Sequence, residues 1–292
     1  MDQFQPEKIL RQVPEYEEYA RKVSRGIHQK VLDGGTPARR VADFLHGTWL
    51  GHPLHPVLTD FVIGAWLVGS VLDLMSMLTK SRSVEKAADT LTTLGTVGAV
   101  PTALTGLTDY TTIKRGAMTT GATHGLINTL GLALYLLSMR ARSSGRRERG
   151  VFFSAMALAL ITVSAWLGGE LVYKYGVGVN KNQFPKEPKD WTAVIDAQEL
   201  KEHEPRRVEV EGRPVLLYRH NGAVQAISAV CAHEGGPLDE GKFEGYCVEC
   251  PWHQSVFDLR DGSVVHGPST YAVPAYTTRI LNGKVEVKLK ED

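Results

Sequence analysis

VCAHEGGPLDEGKFEGYCVECPWHQSVFDLRDGSVVHGP, residues 230–268, is the stretch on which the reading of this chain turns. In it Cys231-x-His233 is followed, after sixteen residues, by Cys250-x-x-His253. Two cysteines and two histidines in two short loops present four metal-ligating atoms of soft and intermediate character. All three cysteines of the chain lie between 231 and 250, too few and too close for a disulfide framework, so metal chemistry is expected. Zinc accepts such a set, and a zinc ribbon is one reading. Against it, the C-x-H spacing is shorter than a zinc-finger knuckle, and each loop mixes one cysteine with one histidine. Cys247 reads as a buried free thiol; the alternative, a redox-active Cys247-x-x-Cys250 pair, would compete with the metal for Cys250.

Around this stretch, from Trp191 onward, short alternating runs dominate (TAVIDA, RVEVEG, PVLLYRH, AVQAISAV, YAVPAYTTRIL, KVEVKL). Asn221-Gly222, Asp261-Gly262 and Asn282-Gly283 punctuate them as hairpin turns do. Residues 190–292 are therefore expected to form a small all-β domain. They carry a net charge of −6, against +7 for residues 1–189, within a total of +1. No strongly basic domain is present, which argues against nucleic-acid binding.

The β region closely resembles the Rieske iron–sulfur domain. Gly235-Gly236-Pro237-Leu238, Pro251-Trp252-His253, Phe257-Asp258, Gly262 and the Gly267-Pro268, Val273-Pro274, Tyr276 loop carry the likeness. The resemblance implies a [2Fe–2S] cluster with Cys231 and Cys250 on the inner iron and His233 and His253 on the outer. Neutral imidazoles replacing thiolates make the cluster less negative, which places such centres at roughly −150 to +300 mV, against about −400 mV for plant-type clusters. The respiratory type has an extra disulfide-bonded cysteine in each loop; Gly236 and Trp252 stand at those positions. Ser255 matches a serine that bonds a bridging sulfur, whereas Phe257 replaces a tyrosine hydroxyl. Fewer hydrogen bonds to sulfur imply a potential below the respiratory class.

Residues 51–175 read as a membrane domain. Four stretches, Pro56–Thr79, Ala87–Thr108, Thr123–Met139 and Val151–Tyr173, are long enough to cross about 30 Å of hydrocarbon. The second, rich in Thr, Gly and Ala, suits close helix packing; a soluble bundle is the competing reading. Residues 1–50 are polar, with Tyr16, Tyr19, Val23, Ile27 and Val31 spaced as on an amphipathic helix, suited to a membrane surface or to its own protein. Residues 176–189 read as a linker. The expected fold class is multidomain, an α-helical transmembrane four-helix bundle followed by an all-β Rieske iron–sulfur domain. The HPLHP segment at 52–56 also resembles an uncharacterised bacterial membrane-domain family.

Ionisable residues in such spans are usually functional. His52, His55, Asp60, Asp109, His124, Asn128 and Glu170 all fall at one end of an up-down-up-down bundle. They are candidates for a quinone-headgroup site or, alternatively, for bis-histidine ligation of haem b (for instance by His55 with His124) or for a mononuclear metal; polar helix packing is the plain alternative. Asp43-x2-His46-x5-His52 has a superficial likeness to the mononuclear iron motif of Rieske oxygenases. Its spacing is wrong and no large catalytic domain accompanies it, so a self-contained oxygenase is not expected. The expectation is an electron-transfer protein or oxidoreductase subunit, multi-pass in a bacterial inner membrane. Its partners would be the lipid bilayer and either a quinone or a redox protein, in a homo-oligomer or a larger complex. Alternatives are a ferredoxin-like donor anchored by its bundle and a redox-sensing module. The arginines of RARSSGRRER favour a cytoplasmic third loop and lean the β domain outward; the basic N-terminal residues and the missing disulfide argue the other way.

Overall fold

Leu54–Thr79 contains no helix-breaking run and only one proline, at the first turn, where its missing N–H costs nothing. It forms α3 in the computed structural model of the chain, which describes residues 14–113, 115–183 and 190–290. The other α-helices among the described residues are α1 (Pro14–Asp33), α2 (Gly35–His46), α4 (Arg82–Tyr110), α5 (Arg115–Ser143) and α6 (Arg147–Tyr173). Two compact units result. One holds the described residues up to Lys30 together with Leu54–Val177; the other holds Val31–Pro53 together with the chain from Gly178 onward.

In the helical unit, α3 packs along α4 and α5 along α6 as two antiparallel hairpins. Three of the four expected spans are long and apolar enough to cross a membrane, at 54–79, 116–143 and 147–173. The second expected span, α4, is not among them. Its polarity lies in threonines that the fold hides: Thr92, Thr96, Thr102 and Thr105 are buried. The hydroxyls of Thr96 and Thr102 donate to carbonyls one turn back, so they need no water. On α1 the buried side chains are Ala20 and Ser24, while Tyr19 is exposed. Ser24 Oγ donates to the Thr111 carbonyl and Tyr110 Oη to that of Ala20, so α1 lies on its own protein at the α4–α5 turn.

At the far end of the hairpins sits a buried ionic network. The Arg142 side chain is 5% exposed and pairs with Asp73, 3% exposed, at 2.5 Å and with Asp89 at 2.6 Å. Arg147 reaches Asp73 at 2.6 Å and also bonds Asp89. Ser138 and Ser154 receive the remaining Arg142 donors. These partners come from all four helices, so the network joins the two hairpins.

The described residues of the second unit contain ten strands. β1 (Thr192–Asp196), β2 (Arg206–Val210), β3 (Arg213–His220), β4 (Ala223–Ser228), β9 (Ala275–Leu281) and β10 (Lys284–Leu289) form an antiparallel sheet of order β1-β10-β9-β4-β3-β2. β5 (Lys242–Glu244), β6 (Cys247–Glu249), β7 (Val256–Asp258) and β8 (Val264–His266) form a smaller one in sequential order. A core that includes Leu216, Ile227, Leu238, Val248, Phe257 and Leu259 also contains Cys231 and Cys250.

Residues 31–50, read above as part of a polar N-terminal segment, and residues 51–53, read as the start of the membrane domain, pack with this unit. On α2, Asp43 accepts from His266 Nδ1 and from the Gly267 N–H, both at 2.8 Å, and Arg39 pairs with Glu249 at 3.0 Å. Asp43→Ala removes a charged acceptor from two donors and is expected to cost about 2 kcal/mol. Thermal unfolding followed on the β domain checks it, with no change as the contrary result. Of the linker, residues 184–189 lie outside the described residues, as do residues 1–13 of the N-terminal segment. The described part is docked rather than free: Asn182 is buried, donating to the Val230 carbonyl and accepting from Ser228.

Candidate metal centre and the polar residues of the helices

The two ligand-bearing loops, one between β4 and β5 and one between β6 and β7, have the same backbone. In the first, Cys231 N–H donates to the Gly236 carbonyl and Gly235 N–H to that of Cys231; in the second, Cys250 N–H donates to Ser255 and Gln254 N–H to Cys250. Each is closed by a left-handed residue four positions after its cysteine, Gly235 at φ 79° and Gln254 at φ 59°. Glycine adopts that conformation freely; glutamine is strained there, as residues beside functional loops often are. Each turn directs backbone N–H groups at a sulfur, those of His233 and Glu234 at Cys231 and those of Trp252 and His253 at Cys250.

Both cysteines are buried, at 1% and 2% exposure. The hydrogen bond from Cys231, with the backbone donors, brings the Cys250 thiol down to about 7, and sharing that proton pushes Cys231 up. A site that favours negative sulfur suits thiolate ligands. His233 and His253 are half-buried, their ring centroids 5.2 Å apart. Two imidazoles on one tetrahedral metal, bonded at about 2.0–2.1 Å, have their centroids about 5.2 Å apart. The four side chains therefore fit a cluster with one sulfur-bound and one imidazole-bound iron.

Gly236 belongs to this site although it offers no ligand. A Cβ there would lie 2.7 Å from Cys250 Sγ and 3.2 Å from the Trp252 ring. The indole lies against the glycine where the respiratory type has its disulfide. Ser255 is fully buried and its Oγ accepts from the Ser269 N–H at 3.0 Å, which leaves the hydroxyl hydrogen to donate elsewhere. Phe257, also fully buried, supplies no hydroxyl. Cys247 lies opposite Asp258 across β6 and β7. Burial and that carboxylate raise its thiol above the usual range, which favours a neutral free thiol.

Over 100 residues the chain is 34% identical to the anthranilate 1,2-dioxygenase ferredoxin subunit of Burkholderia cepacia, covering 34% of this chain and 93% of that protein. Residues 190–277 match the Rieske [2Fe-2S] domain. The chain belongs to the Rieske [2Fe–2S] family. The ferredoxin component of the naphthalene 1,2-dioxygenase system of Pseudomonas putida is 30% identical over 34% of this chain and 95% of its own length. Among solved structures, the ferredoxin of carbazole 1,9a-dioxygenase from Nocardioides aromaticivorans IC177 is 31% identical, covering 35% of this chain and 100% of that one at a TM-score of 0.33. Ahead of the Rieske domain, residues 51–181 match the family described as predicted membrane protein (DUF2231).

The polar residues of the helical region separate. His55, His124 and Asn128 come together: the two rings lie 6.4 Å apart at 89°, and Asn128 Nδ2 is 3.1 Å from His124 Nε2. Asp60 is exposed on α3. Glu170 pairs with Lys174 one turn along α6 at 2.8 Å. Asp109 closes α4, its carbonyl accepting from Thr112. His52 belongs to the second unit and is exposed, its Nδ1 on the Pro53 carbonyl. The Asp43, His46 and His52 grouping is no iron triad: Asp43 is engaged by His266 and Gly267, His46 is buried and His52 is exposed. Sequence reasoning missed the clasp of Asp43 and the network around Arg142. A signal for the latter existed in Asp73, a carboxylate within an otherwise apolar span.

Proposed function

We propose that this chain is a membrane-bound Rieske electron-transfer protein in which Cys231, Cys250, His233 and His253 hold a [2Fe–2S] cluster. One observation carries the reading: two buried sulfurs, each addressed by backbone N–H groups, stand beside two imidazoles at the spacing of one shared metal. When bound, the cluster carries a single electron. The chain's own residues do the rest. The apolar core around the two cysteines excludes water from the inner end. His233 and His253, with the exposed Pro251 and the 48% exposed Trp252, form the rim at which a partner docks. An aromatic, mostly uncharged rim suits a protein contact, so the exchange partner is a redox protein, as the ferredoxin relatives suggest. A membrane quinone is the second reading, favoured by the apolar helices.

The membrane is a bacterial inner membrane, with the Rieske domain on its outer face. Two of the five arginines behind that orientation, Arg142 and Arg147, are engaged by Asp73 and Asp89, so it rests on the exposed Arg140, Arg146 and Arg149. Electron paramagnetic resonance of the reduced, detergent-purified protein tests the central reading. A Rieske-type signal is expected, and zinc in place of iron would overturn it.

Ser255→Ala tests the assignment of its hydroxyl to the cluster. Such a bond stabilises the more negative, reduced state, so its loss lowers the potential. With 1.4 kcal/mol equivalent to about 59 mV for one electron, a drop on the order of 60 mV is expected. Redox titration checks it; an unchanged potential would assign Ser255 to the loop alone.

A further inference from the structure

We infer that the helical unit holds a second redox group, a haem b whose iron is ligated axially by His55 and His124. The inference rests on and deepens the electron-transfer reading; its residues belong to the helical unit and the cluster ligands to the other.

Three side-chain pairs meet between α3 and α5: His55 with His124, Trp66 stacked on Tyr135 with centroids 4.0 Å apart, and Asp73 with Arg142. The partners in each pair are separated by the same 69 residues, so the two hairpins present equivalent positions to one another. The second helices repeat this match. His55 Nδ1 bonds the Thr102 carbonyl at 2.9 Å, and Gly106, four residues on, faces its ring. His124 Nδ1 bonds the Ser164 carbonyl at 2.8 Å, and Gly168, four residues on, faces that ring.

A carbonyl only accepts, so in both histidines Nδ1 carries the hydrogen and the neutral ring keeps its lone pair on Nε2. Metal-ligating histidines are usually held in this way, with the second ring nitrogen donating to a carbonyl or carboxylate. Bundle cores are where facing helices build cofactor sites. Asn128 Nδ2 donates to Nε2 of His124, which marks that nitrogen as the acceptor a metal would take over.

The spacing selects the ligand. Two imidazoles on opposite sides of one metal, each bonded at about 2.0–2.1 Å, have centroids about 6.4 Å apart; on a tetrahedral metal the separation falls to about 5.2 Å. The helical pair stands at 6.4 Å with its rings perpendicular, whereas the Rieske pair stands at 5.2 Å. Opposed axial ligation leaves the equatorial plane to a planar macrocycle. Each ring is seated on a glycine of a neighbouring helix: a Cβ on Gly106 would lie 2.6 Å from His55 and one on Gly168 3.3 Å from His124. A quinone carbonyl needs a donor, which these Nε2 atoms are not.

The test is the haem content and optical spectrum of the full-length protein, purified in detergent from haem-sufficient cells. Wild type is expected to contain about one haem b per chain, six-coordinate and low-spin. His55→Ala and His124→Ala are expected to lose the low-spin spectrum, with added imidazole restoring it, while His52→Ala keeps it. The Rieske resonance of the same samples reports that each chain has folded. A wild type that shows the Rieske signal but no haem overturns the inference and leaves the proposed function standing. So does low-spin haem unaltered in both alanine variants. Haem without a Rieske signal supports the inference and fails the proposed function. Binding of a quinol in place of haem, lost in the same variants, would reassign the histidines and overturn it.

Discussion

Cys231→Ser and Cys250→Ser are each expected to abolish cluster binding, taking the iron of the Rieske domain to zero and eliminating its paramagnetic signal. The reason lies in burial as well as ligation. Both sulfurs sit in the core of the β domain, among Leu238, Val248, Phe257 and Leu259, with no route for water to replace a lost ligand. The backbone donors that address each sulfur are positioned for a thiolate, and a serine hydroxyl is neutral at neutral pH. Because metal binding and folding are coupled in such sites, the loops lose their order with the metal. The thermal transition of the β domain should fall by many degrees while the helical signal is retained. Cys247→Ser is the control: its side chain lies on β6 opposite Asp258, and both irons should remain. Iron analysis with resonance of the reduced protein decides it. A Cys250→Ser protein that keeps a Rieske signal would remove Cys250 from the ligand set.

Asp73→Ala is expected to destabilise the helical unit by about 3–5 kcal/mol, the cost of leaving a buried charge without its partner. Arg142 is enclosed by α3, α4, α5 and α6, and its bidentate partner is Asp73; Asp89 is half-exposed and cannot replace it. Asp73→Ala combined with Arg142→Met should recover most of the loss, because an apolar side chain of similar length needs no counter-charge. Glu85→Ala should cost less than about 1 kcal/mol, since its contact with Arg147 is long and exposed. Thermal unfolding in detergent, read by the helical circular dichroism signal, checks all three. An Asp73→Ala protein as stable as wild type would show that the network is ornamental.

Much of the site could be read from spacing because it is local. Cys231 and His233, or Cys250 and His253, share one turn, and the hairpin glycines that frame them are turn residues by chemistry. The helical hairpins were equally legible from their lengths; α4 was read as a span from its small residues, and its buried threonines bond the preceding turn in place of water. The amphipathic stripe on α1 was assigned Tyr19, whereas Ala20 and Ser24 face the protein. Small side chains carry little periodic signal, yet only they allow the close approach that α1 makes to the α4–α5 turn.

What the sequence alone determined is a Rieske domain preceded by an apolar helical region, each legible from residues close together in the chain. The tertiary structure decided everything that joins distant positions. It brought Asp43 to His266 across 223 residues, made Gly236 the seat of Trp252, and set Arg142 between Asp73 and Asp89. It also brought His55 and His124 together while leaving Asp60 exposed and Glu170 paired with Lys174, residues the sequence had grouped by depth along the helices. Depth follows from counting residues at 1.5 Å each. Which side chains face one another depends on helix rotation and pairing, and those are settled only when the hairpins pack.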